Sequence, residues 1–201
     1  MSEPSEPDDA GLSDDIALML LVREGDEEAF ERLVVRHQYR VVGTIAKMLG
    51  GEAEAEDLAQ QVFVRVWQSR ARYNPSAKFT TWLLTITRNL VFNEMRRRRR
   101  ANLVPFEGDD GEHPIREYPD QRMRSASDRA LEAELQEAIA RAIASLPEAQ
   151  RVAVVLRRYE EMPYEEIAKV LETTVPAVKS LLFRARRDLK EHLKNYLGAE
   201  A

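Results

Sequence analysis

A stretch of 27 residues, 101–127, interrupts helical patterning on both sides and constrains the fold more than any other part of the chain. It contains three prolines and two glycines in a mostly acidic filling, which is typical of a linker. Apolar residues recur at helical spacing before and after it, and no segment alternates like a half-buried strand. The sequence therefore predicts an all-α protein of two small helical domains joined by a flexible acidic linker. A surface insertion within one domain is the less favoured alternative, because a new apolar core begins after the break.

Caps and breaks define the predicted boundaries, which are an acidic disordered tail over 1–14, a first domain over 15–100, a linker over 101–127 and a second domain over 128–197. In the first domain, a short helix over 15–24 stops at Gly25, and Asp26 is a good N-cap for the next helix. A third helix over 53–69, a loop over 70–78 and a fourth helix from Phe79 complete that domain.

The composition excludes several classes of protein. The 201 residues are 44% hydrophobic and 32% charged, which suits a soluble chain with a core. The absence of cysteine excludes a disulfide framework, a thiolate nucleophile and a cysteine zinc site, and it fits a reducing compartment. The acidic start lacks the features of a signal peptide, and no uncharged apolar run has the length of a bilayer span. We therefore expect a cytoplasmic protein that is not inserted in a membrane.

An enzyme is not supported by the motifs. The chain has no G-x-x-x-x-G-K-[ST] and no H-E-x-x-H, and its three histidines, His37, His113 and His192, lie far apart in sequence. Paired acids such as those at 160–161 and 165–166 are typical of solvated helix faces. The sequence thus predicts no catalytic residues, no metal, no cofactor and no small-molecule substrate.

Charge is segregated along the chain, although the formal net charge is only −5. Residues 62–101 carry ten basic side chains against Glu94 alone, whereas residues 1–31 carry eleven acids against Arg23 and residues 101–120 carry six acids against one arginine. Such asymmetry indicates a basic working face. We expect the free protein, which carries its own acidic segments, to bind DNA poorly.

The helix predicted over 79–100 joins aromatic, amide and hydroxyl side chains to five consecutive arginines. Arginines bind phosphate through counterion release, and unstacked bases need flat apolar surfaces with nearby donors and acceptors. Trp82, Thr85, Arg88, Asn89 and Phe92 could supply these. Alone, the segment equally fits a surface helix whose Leu83, Ile86 and Leu90 face a core and whose arginines are solvated.

The last predicted helix has the layout of the second helix of a helix–turn–helix. Thr174 can cap it, and Pro176 sits in the first turn, where the missing amide proton costs little. One side is apolar and includes Val178, Leu182, Ala185, Leu189 and Leu193. The other side is basic and includes Pro176, Lys179, Ser180, Phe183, Arg184, Arg187 and Lys190. Lys179, Ser180 and Arg184 are placed to read bases. Phe183 could contact a thymine methyl, or could pack on the linker or on a protein partner.

Four segments in this order carry a resemblance to a known family, and they read GDEEAFERLVVRH, AEDLAQQVFVRVWQ, FTTWLLTITRNLVFNEMRRRRR and YEEIAKVLETTVPAVKSLLFRARRDL. Together they closely resemble the bacterial RNA polymerase sigma factors of the extracytoplasmic-function (ECF) group, over residues 15–197. The resemblance implies a two-domain initiation factor with sigma regions 2 and 4. It also implies core RNA polymerase, through its β′ clamp and β flap, and promoter DNA as partners, with an anti-sigma factor as an expected further partner.

The resemblance also implies a role for particular residues. The residues implied to bind the polymerase β′ subunit are Glu56, Asp57, Gln60 and Gln61. Those implied to contact the minus-ten element, some on a base-capturing loop and some on the melting helix, are Arg70, Arg72, Tyr73, Asn74, Lys78, Trp82, Arg88, Asn89, Arg96 and Arg97. Those implied to contact the minus-thirty-five element are Thr174, Pro176, Ala177, Lys179, Ser180, Phe183, Arg184 and Arg187. The linker is implied to thread through the polymerase toward the RNA path.

Some residues depart from the family pattern. Pro176 and Ala177 stand where glycine and threonine are often found, Leu181 stands where arginine is often found, and Gln61 replaces a common glutamate. A stand-alone helix–turn–helix regulator that binds operators without polymerase is the main alternative function. A pure interaction module is less favoured, because it leaves the chemistry of residues 79–100 unused.

Overall fold

A computed structural model describes residues 7–76, 78–101 and 126–194, with side chains over 14–76, 78–101 and 133–194. Within these ranges every regular element is helical, which confirms the predicted all-α class. None of the helices in these ranges combines the length and the apolar character needed to cross a membrane. The start of the predicted tail at 1–6 and nearly all of the predicted linker, at 102–125, lie outside the described residues.

The first domain consists of α1 (Pro7–Arg23), α2 (Glu27–Leu49), α3 (Ala55–Ser69), a 3-10 turn at Arg70–Arg72, and α4 (Phe79–Ala101). The predicted start of the first helix at residue 15 is wrong, because α1 begins at Pro7. Proline is tolerated in a first helical turn, and the acids that follow it stabilise the helix through their interaction with the positive end of the helix dipole. The segment predicted as a disordered tail is therefore helical from Pro7 onward.

The predicted N-cap of α2 is confirmed, and a glycine caps its other end. Asp26 accepts a hydrogen bond from the amide of Ala29 at 2.9 Å. Gly50 ends the helix in the left-handed region at φ 78°, and its amide donates to the carbonyl of Ala46 at 2.9 Å. Glycine adopts this conformation without the steric cost that a Cβ brings.

The first domain is built around apolar side chains of α2, α3 and α4, including Leu33, Ile45, Val62, Val66 and Phe79, each at most 1% exposed. Helix α4 faces the core with the expected residues and with further ones. Leu83 is buried, Ile86 and Leu90 are half-buried and pack against the core, and Leu84 and Val91 are buried as well. Since α4 contacts α1, α2 and α3 together, its buried surface is wider than a single stripe.

A buried polar group joins α1 to α2 beneath the start of α4. His37 Nε2 lies 2.8 Å from Asp15 Oδ2, and Arg36 Nη1 donates to Asp15 Oδ1 at 2.6 Å. Burial raises the pKa of Asp15, but the hydrogen bonds and charges of His37 and Arg36 outweigh it, so this pKa lies below its ordinary value. The His37 ring also contacts the Phe79 ring, with centroids 5.2 Å apart. This network fixes the first residue of α4 against the domain core.

The second domain contains α5 (Ala126–Ala144), α6 (Glu148–Arg158), α7 (Tyr164–Val170) and α8 (Val175–His192). The side chain of Thr174 accepts from the amide of Ala177, and Pro176 lies in the first turn of α8, as predicted. Ile167 packs in the same core as Val178, and both are fully buried. The pair α7 and α8 forms the predicted helix–turn–helix.

The two domains pack directly on each other, which the sequence does not predict. Helix α4 contacts α7, and α2 contacts α5 and α6. The side chains at this contact include several that the sequence assigns to DNA binding, so the packing bears directly on the candidate sites.

Candidate nucleic-acid and protein interfaces

The outer face of α3 is polar and open to solvent. Glu56, Asp57, Gln60 and Gln61 are all exposed there, whereas Leu58, Val62 and Val66 on the opposite face are buried. Val64 extends the same outer face by one turn and is 54% exposed. Val64 therefore adds one apolar side chain to an otherwise polar face. Sequence reasoning missed Val64, although its spacing of three and four residues from the two glutamines places it on that face.

Three aromatic rings form a cluster below the loop between α3 and α4. Tyr73 is only 3% exposed, and its ring centroid lies 5.3 Å from that of Trp82 and 6.3 Å from that of Phe79. Burial, and secondarily the charge of Asp15, raises the pKa of Tyr73. Trp82 itself is half-buried. In this arrangement Tyr73 supports Trp82 from below, and the Tyr73 ring is not available to a base.

The loop presents its other candidate residues differently. The guanidinium of Arg70 lies over the ring of Trp67 at 4.3 Å and donates to the Trp67 carbonyl at 2.9 Å. Arg72 and Asn74 are exposed, and Asn74 Oδ1 accepts from the Ser76 amide at 3.0 Å, which shapes a short turn. Arg72 and Asn74 thus face solvent on a defined backbone.

Helix α4 divides its candidate residues between solvent and the second domain. Asn89 is exposed. Arg88 is only 8% exposed, because its Nε donates to the Val170 carbonyl at 2.7 Å. Lys78, just before the helix, lies 3.0 Å from Glu166 in an ion pair. Two of the residues implied to contact the minus-ten element are therefore held by α7 and the residues around it.

The five consecutive arginines that end α4 are not uniformly solvated. Arg97 pairs with Glu94 at 2.7 Å, Arg98 pairs with Glu54 and Glu94, and Arg99 pairs with Glu148 of the second domain at 2.7 Å. The hydrogen bonds that Arg97 donates to Glu94 raise the pKa of Arg97, whereas burial lowers the pKa of Arg98. Arg96 is exposed and donates to the Asn93 side chain at 2.8 Å. The positive charge of this segment is partly neutralised by nearby acids.

The outer face of α8 is basic and open. Its exposed residues are Pro176, Lys179, Ser180, Phe183, Arg184, Arg187 and Lys190, while Thr174 just before it is exposed and Ala177 is half-buried. Lys179, Ser180, Phe183 and Arg184 line a shallow depression of about 510 Å³. Phe183 is 69% exposed, and Val178 and Ala185 on the opposite face are fully buried. The structure thus brings the predicted base-reading residues together on one surface.

These surfaces define a helical, two-domain class of protein that presents a helix–turn–helix on one domain and an aromatic, basic helix on the other. The family model for sigma-70 region 2 matches residues 33–101, and the model for sigma-70 region 4 matches residues 136–189. The chain belongs to the RNA polymerase sigma factors, in the ECF group. It is accordingly a factor that binds core RNA polymerase and directs promoter recognition in transcription initiation.

Full-length relatives support this membership. The RNA polymerase sigma-H factor of Pseudomonas aeruginosa is 30% identical over 184 residues, covering 91% of this chain and 95% of that protein. The ECF RNA polymerase sigma-E factor of Escherichia coli K12 is 30% identical over 178 residues, covering 86% of this chain and 90% of that protein.

Two solved structures share the fold. CnrH in complex with the cytosolic domain of CnrY matches with a TM-score of 0.62 and 25% identity, over 94% of this chain and 99% of that chain. The sigma factor RpoE of Bartonella quintana, in complex with the anti-sigma factor NepR, matches with a TM-score of 0.64 and 23% identity. That match covers 82% of this chain and 96% of the other, and it speaks to the fold alone.

Proposed function

We propose that the sigma activity is divided among three surfaces of this chain. The outer face of α3, with Glu56, Asp57, Gln60 and Gln61, docks on the β′ clamp of core polymerase, and Val64 belongs to the same contact. Its support is that these five side chains are exposed on one helix face whose reverse is core. We place the boundary between the polymerase-docking domain and the helix–turn–helix domain within residues 101–127, as the sequence predicts.

The minus-ten surface consists of the loop after α3 and the first three turns of α4. Arg72, Asn74 and Asn89 are exposed and can meet DNA directly, while Trp82 is half-buried. Arg88 joins this surface once the second domain moves away, and Lys78, which is exposed, is then released from its ion pair with Glu166. Tyr73 serves as a support for Trp82, since its ring is buried. Arg70, Arg96 and Arg97 remain proposed phosphate contacts.

The minus-thirty-five surface is the outer face of α8. The first turns of a recognition helix meet base edges, and later turns meet phosphate. Lys179, Ser180 and Arg184 are therefore the proposed base readers, with Phe183 positioned for an apolar contact such as a thymine methyl. The remaining proposed contacts are Thr174, Pro176 and Ala177 at the start of α8, and Arg187, which lies farther along the helix and meets the DNA backbone.

A protein inhibitor is a further proposed partner. The related CnrH is solved in complex with the cytosolic domain of CnrY, and the sigma factor RpoE of Bartonella quintana is solved in complex with an anti-sigma factor. We infer that this chain is likewise bound by an anti-sigma factor, that it acts in the cytoplasm beside the polymerase, and that it carries no catalytic activity of its own.

Substitutions in α8 should separate base reading from general attraction to DNA. Arg184→Ala should cost the holoenzyme about 1–3 kcal/mol at its preferred upstream element and relax the preference at one or two base pairs. Lys190→Ala should weaken binding to all DNA sequences alike and should lower the slope of log affinity against log salt concentration by about one. Holoenzyme affinity across upstream-element variants at several salt concentrations measures both. The same uniform loss for both variants would remove Arg184 from the base readers.

The alternative function, a regulator that binds operators alone, makes an opposite prediction in a gel shift. A sigma factor needs core polymerase to form a specific complex with promoter DNA, whereas a stand-alone regulator does not. The region 2 match over residues 33–101 favours the sigma factor.

A further inference from the structure

Acids of α7 and of the turn after it contact basic residues in α4 and just before it. The Glu166 carboxylate lies with Oε1 3.0 Å from Lys78 Nζ, and its Oε2 accepts from the Thr81 hydroxyl at 2.8 Å. Arg88 Nε donates to the Val170 carbonyl at 2.7 Å. Arg88 Nη2 also lies 2.8 Å from Glu172 Oε1. The two groups form an ion pair, but their geometry is not that of a hydrogen bond. The second domain thus satisfies charges that a nucleic acid would otherwise meet.

Glu172 has a backbone conformation that its residue type disfavours. It lies in the turn between α7 and α8 at φ 52°, in the left-handed region where glycine is tolerated without strain. Within the described ranges Glu161, at φ 53°, is the other non-glycine residue with positive φ. Helix–turn–helix turns often contain glycine. A residue with a Cβ at position 172 therefore has a strained backbone, and the Glu172 side chain, which is 65% exposed, forms an ion pair with Arg88.

A second set of contacts fixes the same arrangement on the other side of the interface. The buried carboxylate of Glu160 accepts from Arg40 Nε at 2.5 Å and from the hydroxyl of Thr44. Lys47 of α2 lies over the Tyr159 ring at 4.9 Å. Because the two domains are joined at both α2 and α4, their relative position is defined rather than left to a single contact.

We propose that Glu166 and Glu172 form a latch that closes the minus-ten surface in the free protein. This inference rests on the proposed assignment of Lys78 and Arg88 to that surface. When the latch is closed, Arg88 is buried and a single strand cannot reach it, while the outer face of α3 stays exposed. The free protein can therefore dock on core polymerase but binds melted DNA only after the two domains separate.

The latch also assigns a cause to the expected weak DNA binding of the free chain. The segregated charge predicts weak binding from the acidic segments in general. The contacts attribute it to two acids next to the DNA surface, together with the carbonyl of Val170. The apparent affinity of a ligand that binds only the open state is its intrinsic affinity multiplied by the fraction of molecules that are open.

Matched double variants of the full-length protein test the latch. Glu166→Lys with Glu172→Gly places a lysine against Lys78, removes the ion pair to Arg88 and relieves the strained turn. Glu165→Lys with Glu161→Gly is the control, because it changes the net charge by the same amount and relieves the positive φ at Glu161. Both of its residues are exposed. Both doubles therefore share any general gain in attraction to DNA.

Two measurements are made on each variant. Domain separation is followed by energy transfer between dyes on Glu28→Cys and Glu191→Cys, two exposed sites in a chain that has no cysteine of its own. DNA binding is measured with a fluorescein-labelled 20-nucleotide single strand of random sequence. We expect the latch double to change the transfer efficiency and to bind the strand about tenfold more tightly. A gain of this size corresponds to an unmodified protein in which about nine molecules in ten are closed. The control should stay within about twofold of the unmodified chain.

The outcomes distinguish the latch from the function on which it rests. Equal energy transfer and equal affinity for the two double variants would overturn the latch. If Asn89→Ala nevertheless lost strand binding, the assignment of the minus-ten surface would still stand. Open domains without tighter strand binding would overturn the latch because the covered face is not a DNA surface. Adding Arg88→Ala to the latch double should remove most of the gain, and a full gain in its absence would also contradict the proposal.

Discussion

Asp57→Arg should weaken binding to core polymerase by about 3 kcal/mol or more, roughly a hundredfold, while leaving the fold intact. Asp57 lies on the exposed face of α3 between Glu56 and Gln60, so the new side chain meets solvent in the free protein. In the complex, the change removes an anion and places a cation against a partner surface that we propose to be basic. Titration of labelled protein with core polymerase measures the loss.

Glu31→Arg is the matched control for this substitution. Glu31 is an exposed acid on α2, away from the α3 face, and its reversal makes the same change in net charge. We expect it to leave core binding within about twofold. If Asp57→Arg and Glu31→Arg gave the same affinity for core, the α3 face would not be the docking surface.

The combined variant Trp82→Ala with Asn89→Ala should reduce open-complex formation by at least a hundredfold and leave core binding nearly normal. Stacking on an unpaired base is worth about 1–3 kcal/mol, and it becomes available only after the strands separate. Asn89 is exposed and positioned to contact such a base, whereas Trp82 combines a half-buried ring with packing on Tyr73. Permanganate footprinting on a duplex promoter measures melting.

A pre-melted bubble template and a control variant separate melting from misfolding. The bubble should restore much of the activity of the combined variant, because strand separation no longer depends on the protein. Gln68→Ala, which removes an exposed amide from α3, should melt the duplex normally. If the bubble gave no relief and the thermal unfolding temperature fell, Trp82 would be a core residue without a melting role.

Local signals in the sequence were sufficient for the helices and for the α8 surface. Asp26 and Thr174 cap helices in the predicted way because capping depends on a side chain and an amide three residues apart. The basic and apolar sides of α8 follow directly from helical spacing, and Val178 and Ala185 are buried as expected. Function followed from four segments in one order, which no single motif could have supported.

Contacts between distant residues explain what sequence reasoning did not obtain. The resemblance implies a DNA contact for Tyr73, and local sequence gives no sign that its ring packs between the loop and α4, because only the assembled domain creates that space. Arg88 Nε donates to a carbonyl that lies 82 positions later in the chain, a contact that no local pattern predicts. Leu84 and Val91 are buried in addition to the predicted stripe of α4 because three other helices of its domain pack on it.

The central claim is that the two domains read two separate promoter elements when the chain is bound to core polymerase. Transcription by purified core polymerase from a library of randomised promoters, with and without this protein, tests that claim most directly. We predict transcription that depends on the protein, from templates that share two elements at a fixed spacing, with Arg184→Ala relaxing the upstream element and Asn89→Ala the downstream one. Templates that share a single element, or no dependence on the added protein, would contradict it.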